Sequence, residues 1–381
     1  MTPPKNIKHV RSKLLWKYCV VDNADIFNRQ TSILPSLLRP QKNLIITTPT
    51  VFKLYWRQFA ELLKGKNISA AVEVIEVSES SKSISLVESV CHLAKKHAIS
   101  RMDMLVGFGG GSCTDIVTMA ASWLYRGIKY IKIPTTLIGQ VDAGIGIKGS
   151  LNFENCKSNL GCFYQPECVP IDYQLLRTLP KIYLQHGFVE ILKMAMVSSS
   201  KLFQLTETYA SNLIASQFSS NNRQAQEIIS LSIKKMLDEL EINFYERNSP
   251  KRLVDFGHTI SPLIESISNF TIPHGEAVAI DIALCSIFAL LTRNISDAEC
   301  DRILKTLCSF GLKINSKLLS VELCMQAFAN ATKNRGQLNL VIPNAIGSAI
   351  FIETADSIPA IMIQEAIKML SIKIEEQSIY A

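Results

Sequence analysis

The run MDMLVGFGGG, Met102 to Gly111, is an apolar strand pattern ending in glycines, and a helical pattern, Ile116 to Tyr125, follows within a few residues. A strand that turns so tightly into a helix belongs to an alternating strand–helix chain, and the flanking sequence repeats the arrangement. NLIITT (Asn43 to Thr48), AAVEVIEV (Ala70 to Val77) and YIKIPTT (Tyr130 to Thr136) read as further strands, with helical spacing between them, as in Ser83 to His97. Together they predict an open, mostly parallel α/β sheet. After Asp172 strand signals nearly vanish, and long helical patterns dominate to about residue 330. The expected organisation is an N-terminal α/β domain over 1–172 and a mainly helical domain over 173–381, which the chain length allows.

The triglycine turn carries the first hint of chemistry. Glycines there let the backbone approach a ligand closely, and the helix that begins there offers free N–H groups to a pyrophosphate. The spacing is not the GxGxxG fingerprint, and a tight turn without a ligand is the alternative. PTTLIGQVDAGIGIKGSLNFENCKSNLG, Pro134 to Gly161, starts at a strand end and supplies Asp142, Lys148 and Lys157 on what read as glycine-punctuated loops. Loop charges are usually solvated. An acid and two ammonium groups at the carboxyl ends of parallel strands suit a phosphate ligand instead.

HGFVEILKMAMV, His186 to Val197, is helical, with Glu190 and Lys193 on one face at i and i+3. Its flanks are apolar almost all round, so the helix reads as buried, and a buried Glu needs a partner. Two of the six histidines, His258 in GHT and His274 in HGE, stand sixteen residues apart at the edges of apolar segments. Singly, each reads as a core-edge histidine. With Glu190 they make a two-histidine, one-carboxylate set with an open position, the donor pattern of catalytic zinc.

Composition narrows the classes. A 48% hydrophobic, 19% charged chain is that of a soluble globular protein. The longest apolar stretch, Ala277 to Leu291, is short for a membrane span and carries Asp281, so it reads as a buried helix. No signal-peptide pattern is evident at the N-terminus. Ten cysteines without CxxC spacing fit a reducing cytoplasm. The net charge of +7, without basic runs interleaved with aromatics, points to an anionic small molecule rather than nucleic acid.

The order GGGxxxD, PTTLxxQVDxxxGxK, K…LGxFYQP, LxTLP, ExxK, GHT and HGEAVA resembles 3-dehydroquinate synthase and its relatives, the sugar phosphate cyclases, over nearly the whole chain. The resemblance implies an NAD-binding α/β domain, a helical domain holding a divalent metal, and a homodimer acting on a sugar phosphate. The metal would be zinc, with cobalt as the alternative, on Glu190, His258 and His274. Cofactor contacts would come from Glu79, Lys82, Gly109, Gly110, Gly111, Asp115, Thr135, Thr136, Lys157 and Thr178. Asp142, Lys148, Lys193, Lys251, Asp255 and Lys333 would line the catalytic pocket.

The sequence departs from the dehydroquinate synthase pattern where a substrate carboxylate would sit. That enzyme has Asn where Asp255 stands, His where Pro262 stands, Arg at Lys251, and a Lys near Met236 or Leu237. Losing cations and gaining an anion disfavours a carboxylate. At about 4 Å and an effective dielectric of about 20, the repulsion from Asp255 would be about 4 kcal/mol. VDFGHTISP, DAGIGIKGSLNF and MLDELE resemble instead the branch that cyclises sedoheptulose 7-phosphate to valiolone-type cyclitols. Within that pattern Ser158 replaces a common Asn, which implies a rearranged cofactor or substrate hydrogen bond. The competing readings are dehydroquinate synthase chemistry, a metal-dependent polyol dehydrogenase, and a binding protein without catalysis. The lysines Lys148, Lys157 and Lys193 argue against the dehydrogenase, and the full ligand set against the binding protein.

Overall fold

The computed structural model describes residues 17–379, apart from 29, 39–41, 155 and 221. The N-terminal stretch read for a signal segment falls mostly outside them. The apolar and β-branched runs form β1 (Cys19–Val21), β2 (Asn43–Thr47), β3 (Ala70–Val74), β4 (Met104–Gly109) and β5 (Lys129–Pro134). A separate hairpin, β6 (Lys148–Phe153) and β7 (Cys156–Phe163), precedes β8 (Cys168–Pro170). The helices among them are α1 (Leu34–Leu37), α2 (Pro49–Gly65), α3 (Ile84–Lys96), α4 (Gly111–Trp123) and α5 (Leu137–Val141).

One sheet runs in the order β1-β8-β5-β4-β2-β3, and its paired neighbours are all parallel. Strands β2 and β4 are buried along their whole length because helices cover both faces. On one face α2 stacks Phe59 on Phe108. On the other, α3 and α4 lay Val87, Val90, Ile116 and Ala120 over Leu44, Ile46 and Leu105. The chain runs from β2 outward to β3 and then crosses back to β4, so the strand order reverses between β2 and β4. The Gly109–Gly111 turn leaves β4 at that crevice, where open α/β sheets bind ligands.

The β6–β7 hairpin corrects one expectation. Lys148 and Lys157 stand on antiparallel strands, not on loops, and a register shift at Leu151/Phe153 accommodates an extra residue. The strand pattern was faint because a glycine holds an inward position of β6. A Cβ on Gly149 would lie 2.9 Å from Thr118 Cγ2 of α4, so an apolar side chain has no room there.

The second half of the chain contributes α6 (Lys181–Ser198), α7 (Ser200–Ala215), α8 (Asn222–Ile242), α9 (Ser261–Ile267), α10 (His274–Leu291), α11 (Asp297–Ser309) and α12 (Val321–Arg335). A short hairpin, β9 (Leu340–Ala345) and β10 (Ser348–Ile352), and the final helix α13 (Ala360–Ile379) complete it. Helix α10 is the axis of this half, buried continuously from Ala277 to Ala289. Each fully buried Ile or Leu contributes roughly 2 kcal/mol. By length and composition α10 is apolar enough to cross a membrane, but 78% of it is buried inside the protein, which makes it a core helix.

Candidate active site

Three elements of the helical half bring the zinc-type donors together. Glu190 lies mid-α6, His258 follows the short turn Leu253–Asp255, and His274 opens α10. His274 Nε2 is 3.3 Å and His258 Nε2 3.8 Å from Glu190 Oε1. Among the described residues, these three form a group whose ligand atoms all lie within 4.8 Å of one another.

The local sequence explains why. Asp281, buried in α10, accepts backbone N–H bonds from Thr259, Ile260 and Ser261 at 3.0, 2.6 and 2.9 Å. Those bonds pin the GHT segment to the core helix. Gly257 sits at φ +71°, where a side chain would be strained and its Cβ would strike Ile282 at 2.7 Å. Each imidazole is oriented through Nδ1, His258 on the Phe256 carbonyl at 3.0 Å and His274 on Glu265 Oε1 at 3.0 Å. Both Nε2 atoms are left to face Glu190.

The electrostatics fit a cation. Neither oxygen of the buried Glu190 carboxylate has a hydrogen-bond partner, although the Lys193 ammonium is 2.6 Å away. Burial opposes ionisation of Glu190, but Lys193 and then the two imidazoles hold its carboxyl well below the usual range. Burial, with Lys193 nearby, pushes His258 down to about 4, so its imidazole is neutral and ready to ligate. Burial and Lys157 oppose protonation of His274, yet Glu265 and Glu190 hold its pKa up at about 9. A divalent ion held by these three residues would displace that proton and supply positive charge where Glu190 Oε1 faces the two imidazoles.

Around this centre the predicted lysines and acids separate into two sets. Lys193, buried on α6, bridges Glu190 and Asp142, with Asp142 Oδ2 at 2.8 Å. Lys157 reaches from the hairpin to Glu265 Oε2 at 2.6 Å. Against burial, His274 and Lys157 pull the Glu265 carboxyl down to about 2. Lys148 pairs with Glu246, which also binds Arg252. Lys251 turns to Glu353 and lies over the Phe351 ring at 5.9 Å, and Lys333 is exposed near the end of α12. Neither meets the metal group. Their near neighbours Arg252 and Arg335 are the cations that reach inward, and both bind Asp255, Arg335 at 3.2 Å.

That pairing corrects the selectivity argument. Asp255 is not a bare anion. Burial opposes its ionisation, but Arg252 and Arg335 hold its carboxyl below the usual range. Two guanidinium groups beside it offset most of the repulsion a substrate carboxylate would meet, so about 4 kcal/mol is an upper bound.

On the sheet side, the expected cofactor residues gather around the start of α4. A Cβ on Gly109 would lie 2.7 Å from Cys113 Cβ, and one on Gly110 3.0 Å from Thr136 Cγ2. Thr136 caps α5, accepting from the Gly139 N–H at 3.2 Å, and the Thr135 N–H donates to the Gly109 carbonyl at 3.0 Å. Lys82 is buried between Asp115 at 2.6 Å and Glu79 at 3.5 Å, and Ser112 donates to Glu79 at 3.2 Å. Thr178 stands apart, bonded to the Tyr55 hydroxyl. Ser158 takes φ +53° and bonds Ser150 Oγ at 3.2 Å. That left-handed backbone is one Asn tolerates better than Ser, so the departure at this position bears on the hairpin's backbone. A surface groove of about 550 Å³, lined by Glu88, Cys91, His92, Lys95, Trp123 and Tyr125, holds none of the predicted residues.

Sequence reasoning missed Glu265, Asp281, Glu246, Arg252 and Arg335. Asp281 alone carried a signal, as a charge inside an apolar helix. The others read as single charges that a chain pattern cannot distinguish from solvated ones.

This combination of parallel sheet, triglycine turn and helix-borne metal donors recurs in known proteins. Residues 72–186 match the family model described as 3-dehydroquinate synthase N-terminal, and residues 187–334 match 3-dehydroquinate synthase C-terminal. The chain belongs to the 3-dehydroquinate synthase family, and it is an enzyme of that family. It is 35% identical to a 2-epi-5-epi-valiolone synthase of Streptomyces glaucescens, over 92% of this chain and 91% of that one. It is 31% identical to a demethyl-4-deoxygadusol synthase of Trichormus variabilis, over 90% of this chain and 86% of that one. The solved structure of ValA, a 2-epi-5-epi-valiolone synthase from Streptomyces hygroscopicus subsp. jinggangensis 5008 with NAD+ and Zn2+ bound, superposes with a TM-score of 0.90 at 32% identity, covering 96% of this chain and 99% of that one.

Proposed function

We propose that this chain cyclises sedoheptulose 7-phosphate to 2-epi-5-epi-valiolone, or a close cyclitol epimer, with release of phosphate, using NAD and one divalent metal, zinc before cobalt. The observation that carries the reading is the Glu190–His258–His274 group set beside the Lys193–Asp142 ion pair, in a chain similar to valiolone synthases along almost its whole length.

Glu190, His258 and His274 would hold the metal, and the Gly109–Gly111 turn with Thr135 and Thr136 would receive the dinucleotide. Metal and NAD together supply transient oxidation of a ring hydroxyl and its later reversal, so no net redox change results. Lys193 keeps its charge: burial opposes it, but Asp142 and Glu190 hold its pKa above the ordinary value. It orients a hydroxyl next to Asp142, which accepts that hydroxyl's hydrogen bond. Lys157 and Lys148 face the substrate phosphate. Phosphate leaves from the carbon β to the transient ketone, and the proton from the intervening carbon passes to the departing phosphate. The ring then opens and closes again by intramolecular aldol addition. Arg252, Arg335 and Asp255 order the remaining hydroxyls.

Purified protein with NAD, zinc and sedoheptulose 7-phosphate should yield equimolar cyclitol and phosphate, identified by NMR, without accumulating NADH. Turnover confined to a heptulosonate phosphate would return the chain to dehydroquinate synthase chemistry. Steady growth of NADH would establish the dehydrogenase reading. The same proposal places the enzyme in the cytoplasm as a homodimer. The nine described cysteines are all free thiols, which supports a reducing compartment. Light scattering at twice the 42.4 kDa chain mass tests the dimer.

A further inference from the structure

Glu265 on α9 is 2% exposed, and both of its carboxylate oxygens are engaged. Oε1 accepts from His274 Nδ1 at 3.0 Å, and Oε2 binds Lys157 Nζ at 2.6 Å. Lys157 Nζ is also 3.1 Å from His274 Nδ1. One imidazole nitrogen therefore has two competing partners, an acceptor and a donor. In the neutral imidazole that a metal requires, Glu265 as the winner keeps the proton on Nδ1 and leaves the Nε2 lone pair facing Glu190 and the metal position. If Lys157 wins, Nδ1 is the acceptor, the proton sits on Nε2, and the ligand is closed.

We infer that Glu265 is a positioning residue with two coupled tasks: it selects the metal-binding tautomer of His274, and it draws Lys157 off that imidazole. The inference rests on the metal reading of Glu190, His258 and His274. Lys157 comes from the β6–β7 hairpin and His274 from the helical half, so the carboxylate also ties the phosphate-facing lysine to the metal centre. A purely packing role for Glu265 predicts no interplay with Lys157. The tautomer role predicts a specific one. Glu265→Gln keeps the shape but removes the charge that holds Lys157, leaving the ammonium free to donate to Nδ1. Removing Lys157 as well should then restore the ligand.

The test is zinc affinity, measured by chelator competition on the purified full chain, with circular dichroism confirming the fold of each variant. Wild-type protein should take up one zinc. Glu265→Gln should bind it roughly 10- to 100-fold more weakly. Lys157→Met alone should stay within a few-fold of wild type, and Glu265→Gln with Lys157→Met should recover most of the loss. Wild-type affinity in Glu265→Gln, or no recovery in the double variant, overturns the inference while leaving the metal site standing. Failure of the wild-type chain to take up zinc overturns the metal reading and this inference together.

Discussion

The candidate metal centre and the charged rim proposed to meet the substrate are built in opposite ways. At the centre, Glu190 and His274 lie on the packed helices α6 and α10, and His258 is fastened to α10 through Asp281. At the rim, Lys148, Glu246, Arg252 and Arg335, part-exposed charges from β6, the segment between α8 and α9, and the end of α12, close around the buried Asp255 and are joined mainly to each other. The centre is fixed before any ligand arrives because moving it means unpacking a core. The rim satisfies its charges internally and, on the proposed function, would exchange those partners for substrate hydroxyls and phosphate. Rigid placement thus serves the chemistry, and exchangeable pairing serves recognition.

The sharpest way to break this contrast is at the centre. His258→Ala should lose both metal and turnover, with the zinc content of the purified protein falling below one per chain. Partial activity restored by excess zinc would still fit a weakened site. A metal-free variant with full turnover would end the distinction.

Next in size is the dinucleotide turn. Gly110→Val adds atoms where even a Cβ lies 3.0 Å from Thr136 Cγ2. NAD binding, read by calorimetry, should be abolished while zinc content is unchanged. Loss of both would mean that the two halves of the site are not separately built.

A third measurement separates the metal-free centre from the loaded one by pH. His274 holds a proton up to about 9, and that proton must leave before Nε2 can ligate. Zinc affinity should therefore climb about tenfold per pH unit below about 9 and level off above it. In the metal-free protein the raised pKa acts in the other direction. Its stabilisation is complete below the ordinary value of 6.5 and is lost as pH rises to about 9. His258, lowered to about 4, alters stability only below 6.5, outside that window. Melting temperatures of metal-free protein should fall across the window. A flat profile would remove His274 from the account.

The smallest effect belongs to the rim. Asp255→Asn releases Arg252 and Arg335 from their shared carboxylate, and the preference for sedoheptulose 7-phosphate over the heptulosonate phosphate should drop roughly tenfold in kcat/KM, about 1.4 kcal/mol. An unchanged ratio would mean that Pro262, or the shape of the pocket, sets the selectivity instead of charge.

The same division decides what could be read from the chain. Strands β2 to β5 and helix α10 were legible because buried residues leave periodic apolar patterns. The meeting of Glu190, His258 and His274 was legible because each sits in a short motif at the edge of such a pattern. The hairpin was not, since Gly149 replaces the apolar residue that would have marked its inward face. Arg252 and Arg335 were not either. Pairing between distant charges has no period, and the motif match pointed to Lys251 and Lys333, one and two residues away from the side chains that reach Asp255.

The crossing of α6 and α10 behaves like a gauge block. At Gly275, directly after the proposed ligand His274, an added Cβ would lie 2.5 Å from His186 Cβ, and His186 stands one turn before Glu190. The two helices meet with no spare clearance, and that contact sets how far apart two of the three donors can be. An alanine at Gly275 carries no charge and touches no ligand, yet it would act as a shim. It would widen the opening between Glu190 and His274 and change the size of ion that the gap accepts.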